Sequence, residues 1–314
     1  MFNASVFIKE AISAIQDQAQ GKTVIAVSGG VDSTVAATLG AKALGENLVA
    51  VHVDTGYMRK NEVETVIRLF QKTPLKFTCV DASETFYQSL KGIVDPEEKR
   101  KIIGEQFIRV FEDAARKEKA EYLIQGTIAP DWIESGDDLR DVIKSHHNVG
   151  GLPPDMELKL VEPLRDLYKD EVRKVARELR LPVAEQQPFP GPGLAIRIIG
   201  EATPERTELV RDACFIVEDE IEQAAREGKM EIPWQYFAVL LPLKTVGVQG
   251  DLRAYGYTIA VRAVQSLDAM TASYSDIPHD VLDRISTRIT NEHDDINRVV
   301  YDITNKPPGT VEWE

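Results

Sequence analysis

Apolar residues recur along this chain with two periods. Where they run almost unbroken, at 24–27 and 48–53, the pattern is that of strands buried in a parallel sheet, and 75–81 and 121–125 read as two further strands. Between those runs the spacing changes to three or four. Val6, Ile8, Ile12 and Ile15 predict a helix over 3–19. Val31, Val35 and Leu39, with Ala36 and Ala37, predict a second, and further helices fall at 62–71, 85–90, 97–117 and 167–179, the last with Asp166 as its cap. Strand and helix alternate throughout, which predicts an α/β fold with a right-handed, doubly wound parallel sheet. From 131 to 151 the periodicity disappears and polar residues dominate. A long irregular stretch inside a compact domain reads as a lid or binding loop, with Gly150 and Gly151 as hinges. The run 187–193 holds three prolines and two glycines, a composition compatible with neither helix nor interior strand. It reads as a rigid linker and sets a domain boundary near 200. Beyond it, helices at 205–225 and 279–291 and strands at 236–241, 257–264 and 297–303 predict a smaller α+β layer. The division expected is therefore 1–199 and 200–314.

Composition narrows the class. A chain of 314 residues can bury two cores. No apolar run approaches the ~20 residues that span a bilayer, and the first residues carry no basic and apolar leader, so no secretion signal is expected. A net charge of −14 argues against a general nucleic-acid binder, which needs an extended basic face. Cations that meet phosphate must then be concentrated locally. Two cysteines cannot build a disulfide framework, which fits a reducing, cytoplasmic setting. Cys79, alternating into an apolar face, and Cys214, beside Ile216 and Val217, both read as core thiols.

The chemistry concentrates after the first strand, at Ser28-Gly29-Gly30-Val31-Asp32-Ser33-Thr34. Strand, glycine-rich turn and helix start bring unpaired main-chain N–H groups and the positive helix end to one point, which suits phosphate. Gly29 and Gly30 allow close approach to the backbone, and Ser28, Ser33 and Thr34 add hydroxyls. The spacing is not that of a Walker A loop, because Gln16 stands where its first glycine would be, and G-x-G-x-x-G is absent. Asp32 beside a polyphosphate makes sense with a Mg²⁺ between them; by spacing alone it fits a first-turn helix acid as well. Val53 and Asp54 end the second strand and Gly126 follows the fourth, so all three belong to the crevice at the carboxyl ends of the strands. Arg59 fits a ligand cation or a solvated loop charge. The adjacent His146 and His147 lack the spaced partners of a zinc set.

Ser-Gly-Gly-Val-Asp-Ser after a first strand resembles the signature of the N-type ATP pyrophosphatases, an adenine-nucleotide alpha-hydrolase-like fold whose members split ATP into AMP and pyrophosphate. Within that superfamily the chain resembles the ATP-pyrophosphatase subunits of the GMP synthetase family. Gln125-Gly126-Thr127 with Pro130-Asp131 and Ile133-Glu134-Ser135, the stretch 143–151, Pro188 to Leu194 and Lys306 to Glu314 carry the likeness. The resemblance implies adenylation of xanthosine 5′-phosphate (XMP) by MgATP, then amination to GMP. It implies ATP held by residues 28–34, Val53, Asp54 and Gly126. It implies a lid in which Lys144 neutralises phosphate, with Asp131, Glu134 and Asp32 as its catalytic companions, and XMP held by Arg59, Gln235, Asp251, Lys306 and Glu312. It also implies a homodimer through the second domain. Neither cysteine sits on a nucleophile elbow, so ammonia is expected from a separate glutamine amidotransferase subunit. Another enzyme of the superfamily, amidating or thiolating a different acceptor, is the alternative.

Overall fold

The computed structural model describes residues 2–71, 73–129, 158–249, 252–266 and 269–314. Two compact units divide them: one draws on Met1–Thr55, Asn61–Ala82 and Gly104–Gln186, the other on Gly56–Lys60, Ser83–Ile103 and Gln187–Glu314. The expected boundary near 200 was a single cut. The observed division comes after Gln186, and two earlier segments, one a loop and one that includes a short helix and the start of a longer one, count with the second unit. Apolar periodicity marks where elements lie, but it carries no signal for a loop that packs on residues far along the chain. Leu194 N–H, for example, donates to Tyr57 O at 2.8 Å.

The first unit is built on five parallel strands, β1 (Thr23–Ala26), β2 (Leu48–Asp54), β3 (Lys76–Asp81), β4 (Tyr122–Ile124) and β5 (Lys159–Val161), in the order β3-β2-β1-β4-β5. The middle strands are buried, which is why they read as continuous apolar runs. Helices α1 (Ala4–Gln18), α2 (Val31–Leu44) and α3 (Glu62–Phe70) fall where the periodicity places them. Ile25, Val35, Leu39, Val172 and Val175 share one core cluster. Gly40 in α2 is required there: a Cβ would lie 2.8 Å from both Leu48 and Ile124 side chains. Because every strand runs the same way, β1 delivers residues 27–30 to the carboxyl edge of the sheet. Two expectations fail. Cys79 is exposed on the edge strand β3, where alternation is not backed by a covering layer. The helix expected at 167–179 is α6 (Lys169–Glu178) and is capped by Tyr168, with Glu171 Oε2 accepting from Tyr168 N–H at 3.0 Å, not by Asp166.

Helices α4 (Ser83–Ser89) and α5 (Pro96–Lys117) follow β3. In the second unit β6 (Gln235–Gln249) pairs antiparallel with β7 (Leu252–Gln265), β7 with the short β8 (Ser273–Tyr274), and β9 (Ile296–Asp302) joins β7 in parallel. Helices α7 (Pro204–Arg226) and α8 (His279–Glu292) pack with this sheet. The smaller α+β layer is therefore present, with β6 and β7 longer than their apolar centres predicted. Their distal halves expose Val246, Val248, Leu252 and Tyr255. Cys214, on α7, is buried as expected.

Candidate functional site

The turn after β1 is held from within. Ser28 Oγ and Ser33 Oγ lie 3.1 Å apart, Ser33 Oγ donates to Gly30 O at 3.2 Å, and Ser28 N–H reaches Ser33 Oγ at 3.3 Å. Gly29 has φ +87° and is buried, with a Cβ position 3.0 Å from Val66, so only glycine fits the turn. Gly30 caps α2 without a side-chain hydrogen bond. The first-turn N–H groups of α2 thus face the loop with no intrahelical acceptor, as at any helix start. Val31 and Thr34 are buried, so they bring main chain, not side chain, to this point. Gly126, after β4, packs on the same helix start: its Cβ would lie 3.1 Å from Asp32 C and 3.2 Å from Ser33 N. Val53 is buried and Asp54 half-buried at the end of β2.

Asp32 has a partner that the sequence pattern did not name. Lys169 Nζ donates to Asp32 Oδ2 at 2.5 Å, while Asp32 Oδ1 is buried and unpartnered. Lys169 is the first residue of α6, where a helix favours an acid. A cation in that position was the available signal. His52 is a second omission. Fully buried on β2, it sends Nδ1–H to Val27 O at 2.7 Å and so anchors the entrance of the loop. Its signal was a lone titratable residue inside an apolar strand.

The second unit contains a cavity of about 670 Å³ lined by Phe189, Gln235, Lys306 and Glu312, among others. Glu312 takes a forked pair of bonds from Arg197, Nη2 at 2.8 Å and Nε at 3.1 Å, and one from Gln235 Nε2 at 2.7 Å. Arg197 is fully buried; burial disfavours its charge, and the Glu312 carboxylate outweighs that and raises its pKa. Lys306 Nζ donates to Ala269 O at 2.7 Å. The Arg59 guanidinium lies 4.5 Å from the centre of the Phe189 ring, a face-on cation–π contact. Gln235, Lys306 and Glu312 therefore share one cavity, and Arg59 adjoins it through Phe189. Lys144, Asp131, Glu134 and Asp251 lie outside the described residues. Among the described residues no group of three His, Cys, Asp or Glu could hold a metal. The buried, unpartnered Asp32 Oδ1 is a donor of the kind that suits a Mg²⁺ shared with phosphates.

Neither thiol is activated. Burial pushes Cys214 up to about 11, and burial, then Asp54, Asp81 and Glu64, raise Cys79. No helix among the described residues is long and apolar enough to cross a membrane.

Residues 219–313 match the family model described as GMP synthase C terminal domain, and residues 3–127 that of NAD synthase. The chain is 57% identical over 312 residues to a protein of Thermoplasma acidophilum named as a subunit of glutamine-hydrolyzing GMP synthase, covering 99% of this chain and 100% of that one. A protein of the same name from Thermococcus kodakarensis is 58% identical over 312 residues, covering 98% and 99%. Among solved structures, an NH3-dependent NAD synthetase from Campylobacter jejuni gives a TM-score of 0.44 at 18% identity, covering 72% of this chain and 88% of that one.

Proposed function

The chain belongs to this family of GMP synthase subunits, and from that premise we propose how its two sites divide the work. It is a ligase that adenylates XMP with ATP and aminates the product to GMP. The C2 oxygen of the purine attacks the α-phosphorus of ATP, the bond to the β-phosphate oxygen breaks, and pyrophosphate leaves. Ammonia then attacks C2, and AMP departs with the oxygen.

The first-turn amides of α2, with Ser28 and Ser33, hold the outer phosphates, which become the leaving pyrophosphate. Lys169, already paired with Asp32, adds positive charge at that place. Asp32, with the phosphates, would hold Mg²⁺, which when bound neutralises phosphate charge. In the cavity of the second unit, Gln235, Glu312 and Lys306 receive XMP, with Arg59 as a further cation. Lys144, Asp131 and Glu134 remain assigned to the lid, and Asp251 to the acceptor, by resemblance alone. Most of the rate enhancement asked of such a protein is positioning and charge compensation.

The single observation that carries this reading is the gathering of Gln235 with Lys306 and Glu312, the last 77 residues further along the chain, in one cavity. Relatives named as one subunit of a glutamine-hydrolyzing synthase imply a companion, and a separate glutamine amidotransferase is the source of ammonia in this reading. A homodimer is supported by the exposed apolar strip of β6 and β7, and a cytoplasmic setting by the metabolites used. The test is pyrophosphate release from MgATP with ammonium and XMP, against deamido-NAD and citrulline as rival acceptors. Release with XMP alone is expected; release with a rival and not XMP overturns the assignment.

A further inference from the structure

Three cations of the second unit are fully buried, Lys99, Arg197 and Arg262, and all three are spent on the same segment, residues 304–314. Arg262, on β7, donates to Thr304 O at 2.5 Å and Thr310 O at 2.7 Å. Arg197 takes Glu312. Lys99, in the opening turns of α5, takes Glu314: its ammonium donates to Glu314 Oε2, to Ala195 O at 3.2 Å and to Ile198 O at 2.7 Å. An ammonium has three donors, and here each has an acceptor. Glu314 Oε1 in turn accepts Gly200 N–H at 3.3 Å, so both oxygens of the carboxylate are engaged. Burial drives both groups toward neutrality, lowering Lys99 and raising Glu314, and the pair is held against that penalty.

What the pair holds is a wall. Thr310, Val311, Glu312, Trp313 and Glu314 all line the cavity, yet the segment has little regular structure and orders itself through these bonds. A segment that must order when a ligand arrives costs affinity; one already ordered does not. We propose that Lys99 is a positioning residue for the acceptor nucleotide: by fixing Glu314 it keeps the tail wall, and with it Glu312 and Lys306, in place before XMP binds. The contact to XMP belongs to the tail; Lys99 acts through Glu314. This inference rests on the assignment of the cavity to XMP made above.

The test uses the whole chain with MgATP and ammonium saturating and XMP varied. Two variants are compared with the parent protein. Lys99→Met removes the ammonium and leaves every cavity-lining side chain in place, and Lys99→Met with Glu314→Gln removes both charges, leaving no lone buried charge. The expected result is a KM for XMP raised about tenfold in both, with kcat and the KM for ATP within about twofold, the mark of lost ground-state binding. Amide hydrogen exchange across 304–314 should speed up in the same variants. An unchanged KM for XMP overturns the proposal, and so does a fall in kcat without a rise in KM. If the parent protein makes no GMP from XMP, the cavity assignment fails. Exchange in the tail then still decides whether Lys99 holds it, and unchanged exchange sinks that too.

Discussion

Asp32 and Lys169 face each other at the start of α2, and the informative substitution is at Asp32. Asp32→Asn keeps the side chain's shape, so unfolding should be little affected, while AMP formation should fall by about 100-fold or more. Measured pyrophosphate release beside a thermal melt separates the two. Reading the sequence found Asp32 because a carboxylate at a phosphate loop is anomalous. It missed Lys169, whose anomaly is milder and whose partner lies 137 residues away. His52, Arg197 and Arg262 share one feature: each is a single polar residue in an apolar run. The pattern marks them as unusual without saying what they hold, because the acceptor of a buried donor is a matter of tertiary placement. Cys79 and Cys214 can be told apart directly. A thiolate is the reactive form, and Cys214 is buried with its pKa raised to about 11. A maleimide at pH 8 should modify Cys79 in the native protein and Cys214 only after unfolding. Since the Cys79 pKa is also raised, its labelling should accelerate as pH climbs.

Elements were legible where burial was uniform. β1, β2, α2 and α7 appear where unbroken or three-four periodicity placed them, since their packing environment is the same along their length. β6 and β7 were cut short because their distal halves expose apolar residues and lack a clean alternation. β8 and β5 were not anticipated, being too short for a pattern. Close approaches between elements show only in the folded chain. Gly126→Val would drive a branched side chain into the main chain of Asp32 and Ser33, displacing the start of α2. The expected outcome is a loss of kcat/KM for ATP of about 10- to 100-fold with the protein still folded, checked by kinetics and circular dichroism. Arg262→Met is of another kind. It strips the tail carbonyls and leaves Asp302, 3.1 Å away in the parent, with hydrogen bonds from Trp313 and Thr304 but without its charged partner. Denaturant unfolding should report a stability loss of about 3–5 kcal/mol.

At the scale of the whole molecule, amination and the supply of ammonia are separate chemistries, and in the proposed function a companion subunit would supply the ammonia. With ammonium salt the purified chain should convert XMP to GMP; with glutamine alone it should not, because neither thiol is placed or activated as a nucleophile. Glutamine-dependent turnover by the lone chain, followed by GMP chromatography, would refute that division. The two compact units also interleave along the chain: Gly56–Lys60 and Ser83–Ile103 belong with residues from Gln187 onward, inside a stretch that otherwise builds the other unit. An engineer wishing to exchange the acceptor half between relatives thus cannot do so with one crossover. A chimera joined at 187 would import a new tail but keep the host's Lys99 and Arg59. Successful hybrids should need at least three inherited segments moved together, or a pair of parents already alike at those two earlier segments.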